Sequence, residues 1–141
     1  RRRAQELHVT STRFRCRRLN DLLLHTRVAL SIHSMGDQGP GEIWIGGLNL
    51  ELKQRVCDQL SASGFVVNGD SPRYRGVHPG NIVNLASERG VQIELSGNVI
   101  AGMFAMEGPP FGRRVTQLPT TERFDAFVGA VRTALGLEAA A

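Results

Sequence analysis

The sequence predicts a single α/β domain, residues 1–141, with a mostly parallel sheet covered by helices on both faces. Strand-like and helix-like segments alternate along the chain, and its 141 residues suffice to bury a core. Apolar residues make up 41% of the sequence, an ordinary share for a globular protein. No apolar run approaches the ~20 residues that a membrane-spanning helix needs, so no membrane partner is expected.

Apolar periodicity defines the predicted elements. Residues 28–33 and 65–67 are continuous apolar runs typical of buried parallel strands, and residues 42–45 and 90–96 are further strands. Residues 7–12 form a short β-prone segment, and residues 81–85 fit a strand or a turn. Leucines at three- and four-residue spacing predict a helix over 17–26.

Two further helices have recognisable ends. Asn49 is a candidate N-cap, Leu52, Val56 and Leu60 then share one face, and Gly64 ends the helix. Thr120 or Thr121 caps the last helix, whose inner face carries Phe124, Phe127, Val128, Val131 and Leu135. Residues 36–41, 68–80 and 108–119 are predicted loops.

Charge and cysteine content bear on whether the chain binds nucleic acid and on where it acts. The net charge is +4, and Lys53 is the only lysine among 17 basic residues. Such a surface can bind phosphates, but Phe14 is the only aromatic residue near the basic N-terminal cluster, which makes a nucleic-acid-binding function the less favoured alternative. No apolar segment follows Arg1–Arg3, so these residues do not begin a secretory signal, and we expect a cytoplasmic protein. In the cytoplasm, Cys16 and Cys57 would be free thiols.

His33 and Glu94 are the leading candidates for chemistry. His33 ends the 28–33 strand, and ligands of α/β sheets bind at the carboxyl ends of strands. An imidazole there could ligate a metal or act as a base, or simply bond the next loop. Glu94 alternates with apolar residues, so it is either a buried carboxyl with a raised pKa or a solvent-facing residue of an edge strand.

The predicted loop before the last strand offers a third group. His78, Asn81 and Asn84 could bind a polar substrate, although these residue types also build turns. Local zinc, phosphate-loop, dinucleotide and nucleophile-elbow motifs are absent from the sequence, so no local motif completes a zinc site, which needs at least three protein ligands.

Six motifs occur in an order that resembles the poly-γ-glutamate hydrolase family of phages and bacteria. They are LHVTSTRF at 7–14, SIH at 31–33, IGGL at 45–48, GF at 64–65, HPGNIVN at 78–84 and GVQIELS at 90–96. The resemblance runs from about Glu6 to Phe104 and continues weakly through the last helix.

The resemblance implies a three-layer sandwich with a mixed sheet, similar to zinc carboxypeptidases, and cleavage of γ-glutamyl amide bonds. It implies that His33 is a zinc ligand and Glu94 the general base, with zinc polarising the carbonyl and acidifying a water. Arg13, His78, Asn81 and Asn84 are the expected substrate-binding residues, since an arginine-rich rim suits a polyanion.

The sequence also departs from the family pattern. The family's His-Gly-Gly-x-Ile-Glu element, which carries two zinc ligands, is not found here, so the resemblance covers the C-terminal two-thirds of the family. We expect an N-terminally truncated member, a member completed by a different chain, or a degenerate member, and this chain would be inactive alone. Arg15 replaces an acidic residue, and Gly97–Ala101 lacks an expected arginine. A non-catalytic relative that binds an anionic polymer or a protein is the alternative. Self-association through an exposed sheet edge, and release from a phage-infected bacterium, are further expectations.

Overall fold

The computed structural model describes residues 9–14, 16–35, 41–70, 72–105 and 118–137. The strands are β1 (Ala29–Ser34), β2 (Glu42–Gly47), β3 (Val66–Asn68) and β4 (Gly90–Leu95). The helices are α1 (Arg17–Leu24), α2 (Leu50–Ala62), α3 (Gly97–Met103) and α4 (Glu122–Ala134), with a 3-10 helix at Ile82–Leu85. Most of the loops predicted at 36–41 and 108–119 lies outside the described residues.

One mixed sheet has the strand order β1-β4-β2-β3. β1 pairs with β4, and β2 with β3, in parallel, whereas β2 and β4 are antiparallel. Helices α2, α3 and α4 share an apolar core with one face of the sheet. On the other face, the 3-10 helix contacts β1 and β4, and α1 contacts the 3-10 helix. The predicted α/β fold class, with helices on both faces, is confirmed.

The core explains why these segments fold as they do. Leu52, Val56 and Leu60 are buried on one face of α2, as their spacing predicts. Asn49 caps this helix, since its side-chain oxygen accepts a hydrogen bond from the Leu52 amide at 2.9 Å. On α4, Phe127 packs edge to face against Phe65 at 6.0 Å between ring centroids. No helix in the described ranges is long and apolar enough to cross a membrane.

Two strands predicted to be buried lie at the edges of the sheet that the described residues form. Every residue of β4 is buried, whereas Ile32 of β1 is 53% exposed and Val66 of β3 is 58% exposed. The prediction for 28–33 and 65–67 was therefore wrong about position, although both runs contain strands. An apolar run reports β propensity, but pairing order decides whether a strand has one neighbour or two.

Other differences concern short segments. Residues 9–12 contain a turn instead of the predicted strand, and residues 7–8 of that prediction lie outside the described ranges. The 81–85 segment is a 3-10 helix, which begins where the Asn81 side chain accepts a hydrogen bond from the Val83 amide. α3 was not predicted. It begins after Ser96, whose hydroxyl accepts a hydrogen bond from the Val99 amide at 3.4 Å.

Glycines at the end of β2 allow residues 72–80 to cross the sheet. A Cβ on Gly46 would lie 2.4 Å from the carbonyl oxygens of Tyr74 and Arg75. Gly47 has a φ of +119°, which disfavours any other residue, and its amide donates to the Arg75 carbonyl at 2.8 Å. The Gly-Gly pair therefore anchors the crossing segment as well as ending the strand.

We expect Gly46→Ala to lower the free energy of unfolding by about 1–3 kcal/mol, because the new methyl group would overlap backbone atoms that cannot move aside easily. Gly129→Ala is the matched control. Gly129 lies within α4, and a methyl group added there would meet nothing within 4 Å, so this change should stabilise the chain by about 0.5–1 kcal/mol. Urea denaturation of the three proteins measures both effects, and equal midpoints would contradict the crossing-segment interpretation.

Candidate active site around Glu94

The polar face of the sheet brings the two leading candidates together. In the register of the parallel β1–β4 pair, His33 lies opposite Glu94. In the antiparallel β2–β4 pair, Trp44 lies opposite the same Glu94. Residues in register on neighbouring strands project to the same face, about 4.8 Å apart. His33, Glu94 and Trp44 therefore form one row across three strands.

Glu94 is a buried carboxyl group in the central strand. It is 6% exposed, and Gln92 donates a hydrogen bond from Nε2 to Glu94 Oε1 at 2.6 Å. Burial raises the pKa of Glu94 above its usual range, because a carboxylate loses hydration there, while the Gln92 hydrogen bond acts in the opposite direction. The side chain is therefore both oriented and biased towards accepting a proton.

Asn81 fixes the orientation of Gln92. Asn81 Nδ2 donates to Gln92 Oε1 at 2.8 Å, and Asn81 Oδ1 accepts from the Val83 amide at 3.3 Å. Asn81 is 3% exposed, and its amide group cannot reverse without losing both bonds. A chain of side-chain hydrogen bonds therefore runs from the start of the 3-10 helix through Gln92 to Glu94. Asn81 therefore restrains the Gln92 amide that bonds to Glu94.

Asn84 and His78 hold the segment that covers Gln92. Asn84 is fully buried, and its Nδ2 donates to the carbonyls of Gly76 at 2.7 Å and His78 at 3.0 Å. The exposed His78 ring accepts a hydrogen bond at Nδ1 from the Gly80 amide at 3.0 Å. These contacts tie residues 76–84 into one unit above the sheet. Asn84 does not reach solvent, whereas His78 does.

His33 and Arg13 are the two remaining residues that the sequence predicts for the site. His33 is half-buried, and its Nε2 lies 3.1 Å from Ser31 Oγ within the same strand. Arg13 is exposed in the turn at 11–13, and the neighbouring Ser11 carbonyl accepts from the Ile82 amide at 3.1 Å. The structure therefore brings the segment of Arg13 against the 3-10 helix and places His33 beside Glu94.

Three residues of the site were not singled out from the sequence. Gln92 shares a strand face with Glu94, and the alternation along β4 already carried that signal. Trp44 and Tyr74 pack with ring centroids 5.2 Å apart at an interplanar angle of 59°. Trp44 is the only tryptophan of the chain, but its position beside Glu94 depends on antiparallel pairing of β2 with β4.

The donors around Glu94 do not complete a zinc site. Across the described ranges, no three His, Cys, Asp or Glu side chains cluster closely enough to hold a metal ion. His33 and Glu94 supply two such groups, and a protein zinc site needs at least three protein ligands. The described residues therefore supply too few ligands for a complete zinc site.

Two cavities among the described residues have linings that do not include Glu94. One, of about 510 Å³, lies between α2 and the crossing segment and is lined by Lys53, Asp70 and Arg75 among others. Lys53 Nζ lies 3.7 Å from Asp70 Oδ1 at its rim. The other, of about 450 Å³, is mainly apolar and lies between β1, α3 and α4, with His33 at its edge.

Two solved structures are similar to this chain. Bacteriophage poly-γ-glutamate hydrolase is 30% identical, with a TM-score of 0.82 over 94% of this chain and 65% of that one. The zinc-free apo form of YNDL is 26% identical, with a TM-score of 0.77 over 92% of this chain and 63% of that one. The chain thus spans a little under two thirds of the length of each.

The sequence profile of poly-γ-glutamate hydrolases matches residues 1–130. No curated protein sequence matches the chain. The profile match extends over nearly all of the described fold, including both edge strands and the row of His33, Glu94 and Trp44. The chain belongs to the poly-γ-glutamate hydrolase family.

Proposed function

We propose that this chain carries the general base for hydrolysis of γ-glutamyl amide bonds in poly-γ-glutamate. The observation that supports this most strongly is the buried Glu94 carboxyl, held by Gln92 next to His33. The family and the similar bacteriophage hydrolase support the reaction class. Cytoplasmic action, or release from a phage-infected bacterium, is the proposed location, and the phage relative supports the second.

Glu94 has the properties that a general base needs. Burial raises its pKa towards the range in which a carboxylate takes a proton from water effectively. The carboxylate would accept a proton from the water that attacks the amide carbonyl, and would then pass that proton to the leaving amine nitrogen. The Asn81–Gln92 hydrogen bonds keep one oxygen of Glu94 engaged, so the other oxygen is the one that handles the proton.

His33 is the proposed zinc ligand of this chain. A bound zinc would polarise the amide carbonyl and lower the pKa of a bound water. The zinc-free form of a similar protein supports zinc as a family ligand. Because the described residues lack a complete ligand set, the remaining ligands in this proposal come from outside them.

The proposed substrate contacts fall into two groups. Arg13 and His78 are exposed and suit direct contact with carboxylates of a polyanion. Asn81 and Asn84 are buried, so we propose that they act indirectly, through Gln92 and through the backbone of the crossing segment.

A non-catalytic relative that binds an anionic polymer or a protein partner is the second candidate. The observation that favours it is the incomplete set of metal ligands among the described residues. In that case the polar face of the sheet would still present the same row of residues to a polymer, without hydrolysing it.

The free edge of the sheet is a proposed site of self-association. In the described part of the chain, β1 pairs only with β4, and its Ile32 side chain is 53% exposed. An exposed edge strand offers unpaired amide and carbonyl groups to a second copy.

Glu94→Gln is expected to lower the hydrolysis rate of poly-γ-glutamate by about 10²–10⁴-fold, which is the usual contribution of a general base. The assay uses the zinc-supplemented protein, with Glu122→Gln as the control, because Glu122 is an exposed residue at the start of α4. Elemental analysis of the same samples measures bound zinc. If the parent hydrolyses the polymer, an equal rate for Glu94→Gln would refute the base assignment.

Other outcomes of this assay select between the candidates. Polymer binding without zinc and without hydrolysis in the parent would favour the non-catalytic relative. Tight DNA binding with a steep salt dependence, and no binding of poly-γ-glutamate, would favour the nucleic-acid alternative.

Glu94→Gln should also stabilise the fold increasingly as the pH rises. Because burial raises the folded-state pKa of Glu94, its contribution to stability is fully present below the unfolded-state pKa of about 4.3 and is lost as the pH rises through the folded-state value. The neutral amide avoids this loss. Urea denaturation in a chelating buffer, from about pH 4 to pH 8, measures the difference. A difference that does not vary with pH would be inconsistent with a raised pKa.

Self-association predicts a rise in sedimentation coefficient with protein concentration. Ile32→Lys places a charge on the exposed edge strand and should shift the chain towards monomer. Val66→Lys on the opposite edge, β3, is the matched control and should leave association through β1 intact. A parent chain that stays monomeric at every concentration tested would disprove this proposal.

A further inference from the structure

We propose that Trp44 and Tyr74 form the surface that binds the methylene segment of a γ-glutamyl repeat next to Glu94. This inference rests on the proposed function and names the substrate contact of the same site. It starts from register: Trp44 lies directly opposite Glu94 across the β2–β4 pair, on the same face of the sheet. A substrate that approaches Glu94 from the side of β2 would therefore pass the indole.

The two rings are held in place from separate elements. Trp44 Nε1 donates to Glu42 Oε2 at 2.7 Å, which restrains the indole along β2. Tyr74 belongs to the crossing segment, which is fixed by the Gly47 amide bonding to the Arg75 carbonyl at 2.8 Å. The rings meet at a centroid distance of 5.2 Å. Because both side chains are already ordered, ligand binding would cost little side-chain entropy at this aromatic pair.

Neither Trp44 nor Tyr74 is fully buried. Trp44 and Tyr74 are each only half-buried, unlike the neighbouring Glu94 and Gln92. Aromatic faces of this kind contribute apolar contact area while their polar atoms stay hydrated or bonded. A partly exposed aromatic pair beside a buried carboxyl is typical of a substrate-binding surface. We refer to Trp44 and Tyr74 together as the aromatic wall.

The chemistry of the polymer matches this wall. A γ-linked glutamyl repeat has two methylene groups in its main chain and one carboxylate on each unit. The methylenes can pack on the aromatic faces, and the carboxylates can meet the exposed arginines on either side of Tyr74, Arg73 and Arg75. In an α-linked polymer of equal charge the methylenes lie in the side chains, so the main chain would not present them to the wall.

The fluorescence of Trp44 tests this contact directly, because it is the only tryptophan. Glu94→Gln protein, which should bind without cleaving, is titrated with poly-γ-glutamate and separately with poly-α-glutamate of the same length. We expect a saturable change in emission with the γ-linked polymer and an apparent affinity at least about 10-fold weaker for the α-linked polymer.

Tyr74 variants separate binding from folding. In the Glu94→Gln background, Tyr74→Ala should weaken affinity for poly-γ-glutamate about 3- to 10-fold, and Tyr74→Phe should retain it, because the ring and not the hydroxyl makes the contact. Urea midpoints within error of each other show that the crossing segment stays folded. If Tyr74→Ala unfolds that segment, the comparison of the two polymers on Trp44 fluorescence decides alone.

Equilibrium dialysis of the polymer against the same protein distinguishes failure of the Trp44–Tyr74 proposal from failure of the proposed function. Binding in dialysis with no change in Trp44 emission would overturn the aromatic wall and leave the proposed function standing. Equal affinity for the two polymers would also overturn it. Absence of binding in both measurements would overturn the wall together with the proposed function.

Discussion

The polar side of the sheet is organised around one buried carboxyl group. Glu94 lies on the central strand β4, every residue of which is buried, and its charge loses most of its hydration there. Gln92 and Asn81 offset part of this cost with two side-chain hydrogen bonds in series. The same burial raises the pKa of Glu94, so the feature that is unfavourable for stability is the one that suits a base.

The crossing segment and the 3-10 helix lie on the polar face of the sheet, where Asn81 reaches Gln92. Asn81 can donate to Gln92 only because the preceding segment crosses close to the sheet, and Gly46 has no side chain to prevent this approach. Asn84 then fixes the crossing segment through two backbone carbonyls. The conformation of an exposed segment is thus set by buried amides, which explains how a loop can carry Tyr74 to a defined place beside Trp44.

The two faces of the sheet differ in polarity and in what covers them. One face packs its isoleucines, valines and leucine against α2, α3 and α4 and supplies most of the apolar burial. The other presents a row of His33, Glu94 and Trp44 to a thinner layer. The two-residue alternation of the strands therefore separates the polar row from the apolar core, so substitutions in the row need not disturb the core packing.

The sequence by itself determined the fold class, the position and cap of α2, and the choice of His33 and Glu94, because periodicity, caps and a charged residue in an apolar strand are local signals. Six ordered motifs also identified the family, which the profile match confirms. The roles of the individual site residues stay predictions.

Only the tertiary structure decided which described strands lie at the sheet edges, that Ile82–Leu85 is a 3-10 helix, and that Trp44 lies opposite Glu94. It also separated the buried Asn81 and Asn84 from the exposed Arg13 and His78. Strand order and loop crossings are non-local: they depend on contacts between residues far apart in the chain, which no local pattern records.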